Sequence, residues 1–508
     1  MKQYSVAKII KRFEKPYLQS RFFCKKMIKD YLKEQILSNF GHSPTQDQAK
    51  VLDSLAEFIF SPNAREVFLL RGYAGTGKTS LVGALVHTLE QLKRPCVLMA
   101  PTGRAAKVFS LYANHPAFTI HKRIYRQKSI DQDSIFSLNF NMLRDVLFIV
   151  DEASMISDTA DSAFLRSSLL DDLIQFVYAG DQGCQLLLVG DTAQLPPVGD
   201  GESPALQPSV LRGYGMTTRC ETLTQVVRQK DASGILWNAT RLREMIDTEN
   251  VFVLPKIKFK GFADVKNVPG DELIDTISTC YARFGLDDTM VVTRSNKRAI
   301  VYNNGIRNQI LGREEEISSG DLLMVAKNNY HWLDSKDGNF IANGDVAVVK
   351  RVRNFRDMYG FHFADCELAF PDYDDLLVDA TVLLDTLHSE APALTREQQD
   401  SLFTRVLEDY ADISTKSERM KKMKEDPYFN ALQVKYAYAV TCHKAQGGQW
   451  SQIFIDQGYM TEEMLGPDYF RWLYTAITRA THTVHFVNWR TNQTLDAEED
   501  ELPSFLPL

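Results

Sequence analysis

The stretch RGYAGTGKTS, residues 71–80, stands directly after the apolar run VFLL and directly before LVGALVHTLEQL. Within it Gly72, Gly77, Lys78 and Thr79 satisfy G-x-x-x-x-G-K-[ST], a pattern that belongs between a strand and a helix. Glycines suit such a turn because backbone N–H groups must approach phosphate oxygens with no Cβ in the way. The loop from Gly72 through Ala74, Gly75, Thr76 and Gly77 to Ser80 is therefore expected to cradle the phosphates of ATP. Lys78 would reach the β- and γ-phosphates, and Thr79 would offer its hydroxyl to Mg²⁺.

A later apolar run ends in LFIVDEASMIS. Asp151, at the carboxyl end of that strand, is placed to hold Mg²⁺, partly through water, and Glu152 to polarise a water for attack on the γ-phosphate. The run after it ends in GDTAQLPPVG, where Gln194 is a neutral donor and acceptor suited to sensing the γ-phosphate or its water.

These residues need a sheet to hold them at one edge. Apolar runs of strand length recur at 67–70, 96–100, 146–150 and 185–190, separated by helical patterns. Buried parallel strands alternating with helices make an α/β sheet covered on both faces. A second set appears in TMVVTRS (289–295), YAYAVT (436–441), QIFID (452–456) and TVHFVN (483–488). Interrupting it, DLLMVAKNNYHWL, FIANGDVAVVKRVRNF and YGFHFADCELAF alternate in the manner of a small barrel, followed by an acidic, helix-like segment at about 372–426.

Composition sets the outer limits. At 508 residues with 44% apolar and 24% charged side chains, several globular domains are expected. The net charge of −7 excludes a uniformly basic coat but not a local basic channel. Residues 1–39 hold ten Lys/Arg against three Asp/Glu and read as two helices interrupted by Pro16, whereas LDAEEDELPS near the other end is acidic. Seven scattered cysteines without a C-x-x-C pair fit reduced thiols rather than disulfides or a zinc site. No apolar run of signal-peptide or membrane-spanning length occurs, so a cytoplasmic protein with no membrane partner is expected.

Eleven segments then stand in the order of the motifs of superfamily 1 DNA helicases: FGHSPTQDQAKVL, RGYAGTGKTS, APTGRAAKVF, FTIHKRIYR, IVDEASMIS, VGDTAQLPPVG, LTQVVRQ, VVTRSNKRA, ANGDVAVV, YAVTCHKAQGGQW and YTAITRATHTV. They most resemble the RecD-like, superfamily 1B branch that also contains Dda, over roughly residues 40–490. The resemblance implies two RecA-like P-loop motor domains, with an inserted β-hairpin and an inserted SH3-like β-barrel. The corresponding ranges are a basic helical segment at 1–40, a first motor domain at 41–215, and a second in two parts at 216–319 and 431–490. The barrel and acidic segment occupy 320–430, and an acidic tail 491–508.

What the resemblance implies for single residues can be checked against their chemistry. Gln48 resembles the glutamine that reads the adenine edge, for which an amide has the paired donor and acceptor. Arg228 and Arg479 resemble the two arginines that contact the γ-phosphate, where a planar guanidinium offsets developing charge. Thr102, Arg104, His121, Thr441, His443 and Lys444 resemble positions that hold a single strand, through groups that suit phosphates and carry little base information. A hairpin at about 126–143, with an apolar tip near Phe136–Phe140, is expected to act as a pin at the duplex junction.

The implied activity is ATP-dependent, 5′-to-3′ unwinding of DNA from a single-stranded tail, with RNA left open as a second track. A DNA-stimulated translocase or remodelling subunit with little unwinding of its own is the alternative. A P-loop kinase of a small molecule would have no use for Arg228, Arg479 or a second α/β unit.

Overall fold

The apolar runs become strands because each is flanked by helices on both sides of the sheet. The chain is described here by a computed structural model covering residues 18–127, 136–159, 167–180, 182–227, 233–333 and 340–495. It divides into two units.

In the first unit the strands are β1 (Glu66–Gly72), β2 (Cys96–Ala100), β3 (Ala117–Thr119), the short pair β4 (Tyr125–Gln127) and β5 (Phe136–Leu138), then β6 (Leu147–Val150), β7 (Gln185–Gly190) and β8 (Thr217–Leu223). Six of them form one sheet in the order β3-β2-β6-β7-β1-β8, all parallel. Period-2 alternation sorts continuous apolar runs to opposite faces. Phe68, Leu70, Leu147, Ile149, Leu187 and Val189 pack under the helices Gln46–Ile59 and Lys78–Gln91. Val67, Leu69, Phe148, Val150, Leu186 and Leu188 pack on the other side against Leu170, Leu173 and Leu211.

The basic N-terminal segment contributes to this cover. Helix Leu18–Phe40 buries Leu32 and Ile36 in the same core, and its Asn39 amide donates to Thr88 Oγ1 at 2.8 Å. Of the two helices expected on either side of Pro16, this is the later one, and the earlier one lies outside the described residues. One difference from expectation is the end of the first domain. It does not stop at residue 215, because β8 pairs with β1 along its whole length. As a partly exposed edge strand with polar residues at five of its seven positions (TTRCETL), β8 lacks the apolar run that marked its neighbours.

In the second unit, β9 (Val265–Val268), β10 (Thr289–Thr293), β16 (Ala439–Thr441), β17 (Trp450–Asp456) and β18 (Ala480–Val487) form a parallel sheet in the order β16-β10-β17-β18-β9. Between β10 and β16 lies a closed barrel of β11 (Leu322–Val325), β12 (Val346–Met358), β13 (Phe361–Phe370), β14 (Leu376–Leu383) and β15 (Leu432–Tyr436). Its pairs are antiparallel except β14 with β15, which is parallel and needs a crossover. The helices Arg396–Glu408 and Lys416–Glu425 supply that crossover.

Two expectations about this insertion change. The barrel takes its closing strand from beyond residue 430, and the acidic segment begins with a strand, β14, whose LLVDATVL is rich in β-favouring side chains. The rest of that segment is helical and packs on the barrel, with Leu402, Val406 and Met423 against Phe361, Phe363 and Leu383.

The small hairpin also differs from expectation. Tyr125, Arg126 and Gln127 pair with Leu138, Ser137 and Phe136, so Phe136–Leu138 is the returning strand and not the tip. Leu138 is held down by packing against the first unit's core. The turn of the hairpin, residues 128–135, lies outside the described residues, as do Arg228 and residues 496–508 of the acidic tail.

Candidate functional site

Because every strand of the first sheet is parallel, all carboxyl ends lie on one edge, where open α/β sheets place ligands. The β7 strand sits between β1 and β6, so the glycine-rich turn, Asp151 and the GDTAQ segment open on neighbouring strand ends.

The turn itself is shaped by its glycines. Gly75 and Gly77 have φ of +75° and +83°, the left-handed region that other residues adopt at a cost. Gly72 is needed for space: a Cβ there would come within 2.9 Å of Lys78 Cγ and 3.0 Å of Leu223 Cβ. At Gly77 an added Cβ would lie 2.7 Å from Gln48 Nε2. Helix Lys78–Gln91 starts at Gly77, so its first N–H groups and positive dipole end face the turn. Within it Lys78 Nζ donates to Tyr73 O at 2.9 Å and to Gly72 O, and lies 3.9 Å from Asp191 Oδ2. Thr79 is half-buried and Ser80 exposed at the same helix end.

Gln48 braces this turn from behind. It is buried at 1% exposure, and its Nε2 donates to Thr76 O at 2.9 Å. Its Oε1 accepts from Thr45 N at 3.0 Å while Thr45 Oγ1 accepts from Gln48 N, a capping box at the start of helix Gln46–Ile59. Both ends of the amide that resembles an adenine reader therefore have partners within the protein.

At the end of β6, Asp151 Oδ1 accepts from Glu152 N at 2.8 Å, and Glu152 takes a left-handed φ of +51° before the short helical turn Ala153–Met155. A non-glycine residue in that region stores strain of the kind that collects at functional sites. After β7, Asp191 is 1% exposed and accepts from Ala193 N at 2.9 Å. Sequence reasoning passed over Asp191 in favour of Gln194; an acid directly following a fully buried strand was the available signal. Gln194 is buried, and its Oε1 has no hydrogen-bond partner among the described residues. An orphaned acceptor of this kind costs about 1–3 kcal/mol, which a bound donor would recover.

These features fit a nucleotide and its cation. The cradle has no room for extra Cβ atoms, Lys78 is already aimed along it, and Thr79 with Asp151 is the all-oxygen donor type that Mg²⁺ takes alongside substrate phosphates.

The remaining candidates sit elsewhere. Within the second unit Arg479 follows helix Pro467–Ile477 and is 4% exposed, donating to Thr475 O at 3.3 Å and Gly448 O at 3.4 Å. Thr441 ends β16 and directly precedes the short helix Cys442–Ala445, which carries His443 and Lys444. Burial pushes the Lys444 ammonium down to about 8, and it donates to Asn343 Oδ1 in the barrel. Lys435 on β15 is likewise down to about 8, by burial and then by the charge of Lys444. Thr102 and Arg104 group with this unit, where the Arg104 guanidinium lies 4.6 Å over the Trp450 ring and donates to Gln449 O at 3.3 Å. In the first unit His121 is on the helix Ile120–Ile124, its ring 5.6 Å from that of Tyr125.

Comparison with known proteins gives two family matches in chain order: an AAA domain over residues 44–250 and a UvrD-like helicase C-terminal domain over 436–487. An uncharacterized protein of Acanthamoeba polyphaga mimivirus, R530, is 22% identical over 87% of this chain and 99% of its own length. The ATP-dependent RecD2 DNA helicase of Deinococcus radiodurans is 31% identical over 193 residues, 38% of this chain but only 23% of RecD2. Among solved structures, Pif1 helicase from Bacteroides in complex with ADP-AlF3 and single-stranded DNA aligns over 89% of this chain and 94% of its own, at 16% identity and a TM-score of 0.43.

Proposed function

We propose that this chain, which belongs to the superfamily 1B helicases of the RecD/Pif1 type, couples ATP hydrolysis to movement along single-stranded DNA in the 5′-to-3′ direction and unwinds duplex DNA as it moves. The observation that carries the proposal is the cradle at Gly72–Thr79 after β1, with Asp151 directly after β6 and the segment Asp191–Gln194 directly after β7, which lies between β1 and β6.

In that reading the N–H groups of the turn and Lys78 bind the phosphates, and Thr79 and Asp151 would hold Mg²⁺, which would supply positive charge against that developing on the phosphates. Glu152 takes the proton of the attacking water, and Gln194 orients that water with its open acceptor. Asp191, close to Lys78, steadies the lysine. Arg479, and Arg228 outside the described residues, offset charge developing on the γ-phosphate. Gln48 adds adenine recognition through its remaining hydrogen-bonding capacity, while its present bonds keep the turn in shape.

Thr102, Arg104, His121, Thr441, His443 and Lys444 hold the strand by phosphate and sugar, so binding is independent of sequence and sensitive to salt. The hairpin built on β4 and β5 serves as the pin that parts the duplex.

The deciding experiment compares unwinding of two otherwise identical duplexes, one with a 5′ and one with a 3′ single-stranded tail, at fixed salt. Unwinding only from the 5′ tail is expected. Unwinding only from the 3′ tail refutes the polarity, and DNA-stimulated ATP turnover without unwinding of either supports a translocase or remodeller instead.

A further inference from the structure

One surface of the second unit is unrelated to the motor residues. Helix Gly234–Asp247 and the loop after it line an open pocket of about 420 Å³ that includes Arg241, Glu244, Met245, Val253, Leu254 and Lys256. Beside it Phe252 and Val253 are 73% and 56% exposed, although both are large apolar side chains. Residues 250–263 carry Lys256, Lys258 and Lys260 and no acid at all. The surface is thus apolar in the middle and basic along one side.

The chain itself delivers a complementary segment to this place. Ile257 pairs with Thr494 in an isolated parallel bridge, Ile257 N donating to Gln493 O at 2.8 Å and Leu495 N to Ile257 O at 3.0 Å. Leu495 therefore lies beside the loop that carries Lys256 and Lys258. The following sequence is DAEEDELPSFLPL, with five acids in its first six positions and Phe505, Leu506 and Leu508 behind them.

We propose that residues 496–508 dock in cis on this surface, their acids against Lys256, Lys258, Lys260 and Arg241, and their apolar end on Val253, Leu254 and Phe252. Reach is no obstacle, since thirteen residues extend up to about 43 Å and the surface starts at the anchor. Tethering gives the segment an effective concentration of roughly millimolar, so an attraction too weak to hold a separate peptide tightly still holds it here. Glu244, Asp247 and Glu249 oppose the acids from the helix end. Arg243 lies within 3.9 Å of Glu244 and 3.8 Å of Asp247, which leaves the lysine loop as the side where the acids settle.

The test uses the intact chain first. A glutamate-specific protease cutting after Glu498, Glu499 or Glu501 is expected to act slowly at low salt, and about tenfold faster in Arg241→Glu/Lys256→Glu or at 1 M salt. Secondly, a labelled synthetic peptide of residues 496–508 is expected to bind a chain ending at Leu495, and to bind the intact chain about tenfold more weakly. Phe505→Ala in that peptide is expected to weaken it further. Cleavage equally fast in all forms, or a peptide that binds the intact and shortened chains alike, overturns the proposal. So does a charge reversal that weakens duplex DNA binding and leaves protease and peptide unaffected, because the surface would then belong to nucleic acid.

Discussion

Gly77→Ala is the most informative single change, because two separate costs meet at one atom. The residue sits at φ +83°, where a Cβ costs about 1–2 kcal/mol. The same Cβ would lie 2.7 Å from Gln48 Nε2, which cannot yield freely because it is buried and donates to Thr76 O. Pushing it aside breaks that bond and strands a buried carbonyl, about 1–3 kcal/mol more. The sum is about 2–5 kcal/mol, and at about 3 °C per kcal/mol for a domain of this size the first unit should melt about 6–15 °C lower.

Gln48→Ala alone removes the brace and the side-chain half of the capping box that Gln48 supplies, about 1–3 kcal/mol. The pair of changes should cost less than the sum of the two, because without the Gln48 amide only the backbone strain at residue 77 remains. The assay is a double-mutant cycle by thermal melting, repeated with ATP to read nucleotide binding. Strict additivity would refute the argument, since it would mean that residue 77 and Gln48 do not press on each other.

Lys444→Arg tests the depressed lysine. Contact with phosphate raises an ammonium that starts near 8, so strand binding takes up a proton, and affinity should fall about tenfold between pH 7 and pH 9. The arginine variant stays charged and should flatten that profile; identical slopes in a fluorescence-anisotropy titration count against Lys444 as a strand contact. Lys78→Ala should abolish ATP turnover, and Arg479→Ala should slow it by about 10³–10⁵ while nucleotide binding stays measurable. Near-normal turnover by the Arg479 variant in a phosphate-release assay removes its assigned role. Exchanging residues 129–134 for a short Asn-Gly turn, which leaves the β4–β5 pairing intact, should impair strand separation and spare DNA-stimulated turnover. Parallel loss of both in unwinding and ATPase assays contradicts a pin.

What could be read in advance depended on how much of the signal was local. The glycine-rich turn is local in every respect: strand, glycines, lysine and helix follow one another, so spacing alone marked a turn between a strand and a helix there. The buried central strands were legible because burial on both faces leaves no polar position in VFLL or LFIV. At edges that constraint fades, which is why β3, β8 and β9 were missed and the first domain was ended too early. The hairpin was misjudged for a related reason. Alternation in SIFSLNF reports a strand with one covered face, and its cover is a core formed largely by residues distant in sequence. The bond from Gln48 to Thr76 joins positions 28 apart, and Asp191 lies near Lys78 only because β7 is inserted beside β1.

The barrel is tied to the second sheet by more than its two connections. Asp321, fully buried at the start of β11, accepts from Arg307 Nε at 3.0 Å, a terminal nitrogen of Arg313 at 2.7 Å, Ser318 N at 2.7 Å and Tyr438 Oη at 2.8 Å. Burial pushes its carboxyl up, but the two arginines and the other donors outweigh that and hold it below the usual range. Such a carboxylate is costly to strand, about 3–5 kcal/mol if a partner is removed, so the cluster behaves as one piece. Tyr438 belongs to the two-residue link between β15 and β16, and β16 ends at Thr441, directly before His443 and Lys444. A rigid junction three residues upstream of Thr441, together with Asn343 of the barrel touching Lys444, leaves Lys444 little freedom to drift. In the proposed motor, the barrel thereby fixes where the second sheet meets the strand, even if it never contacts a base.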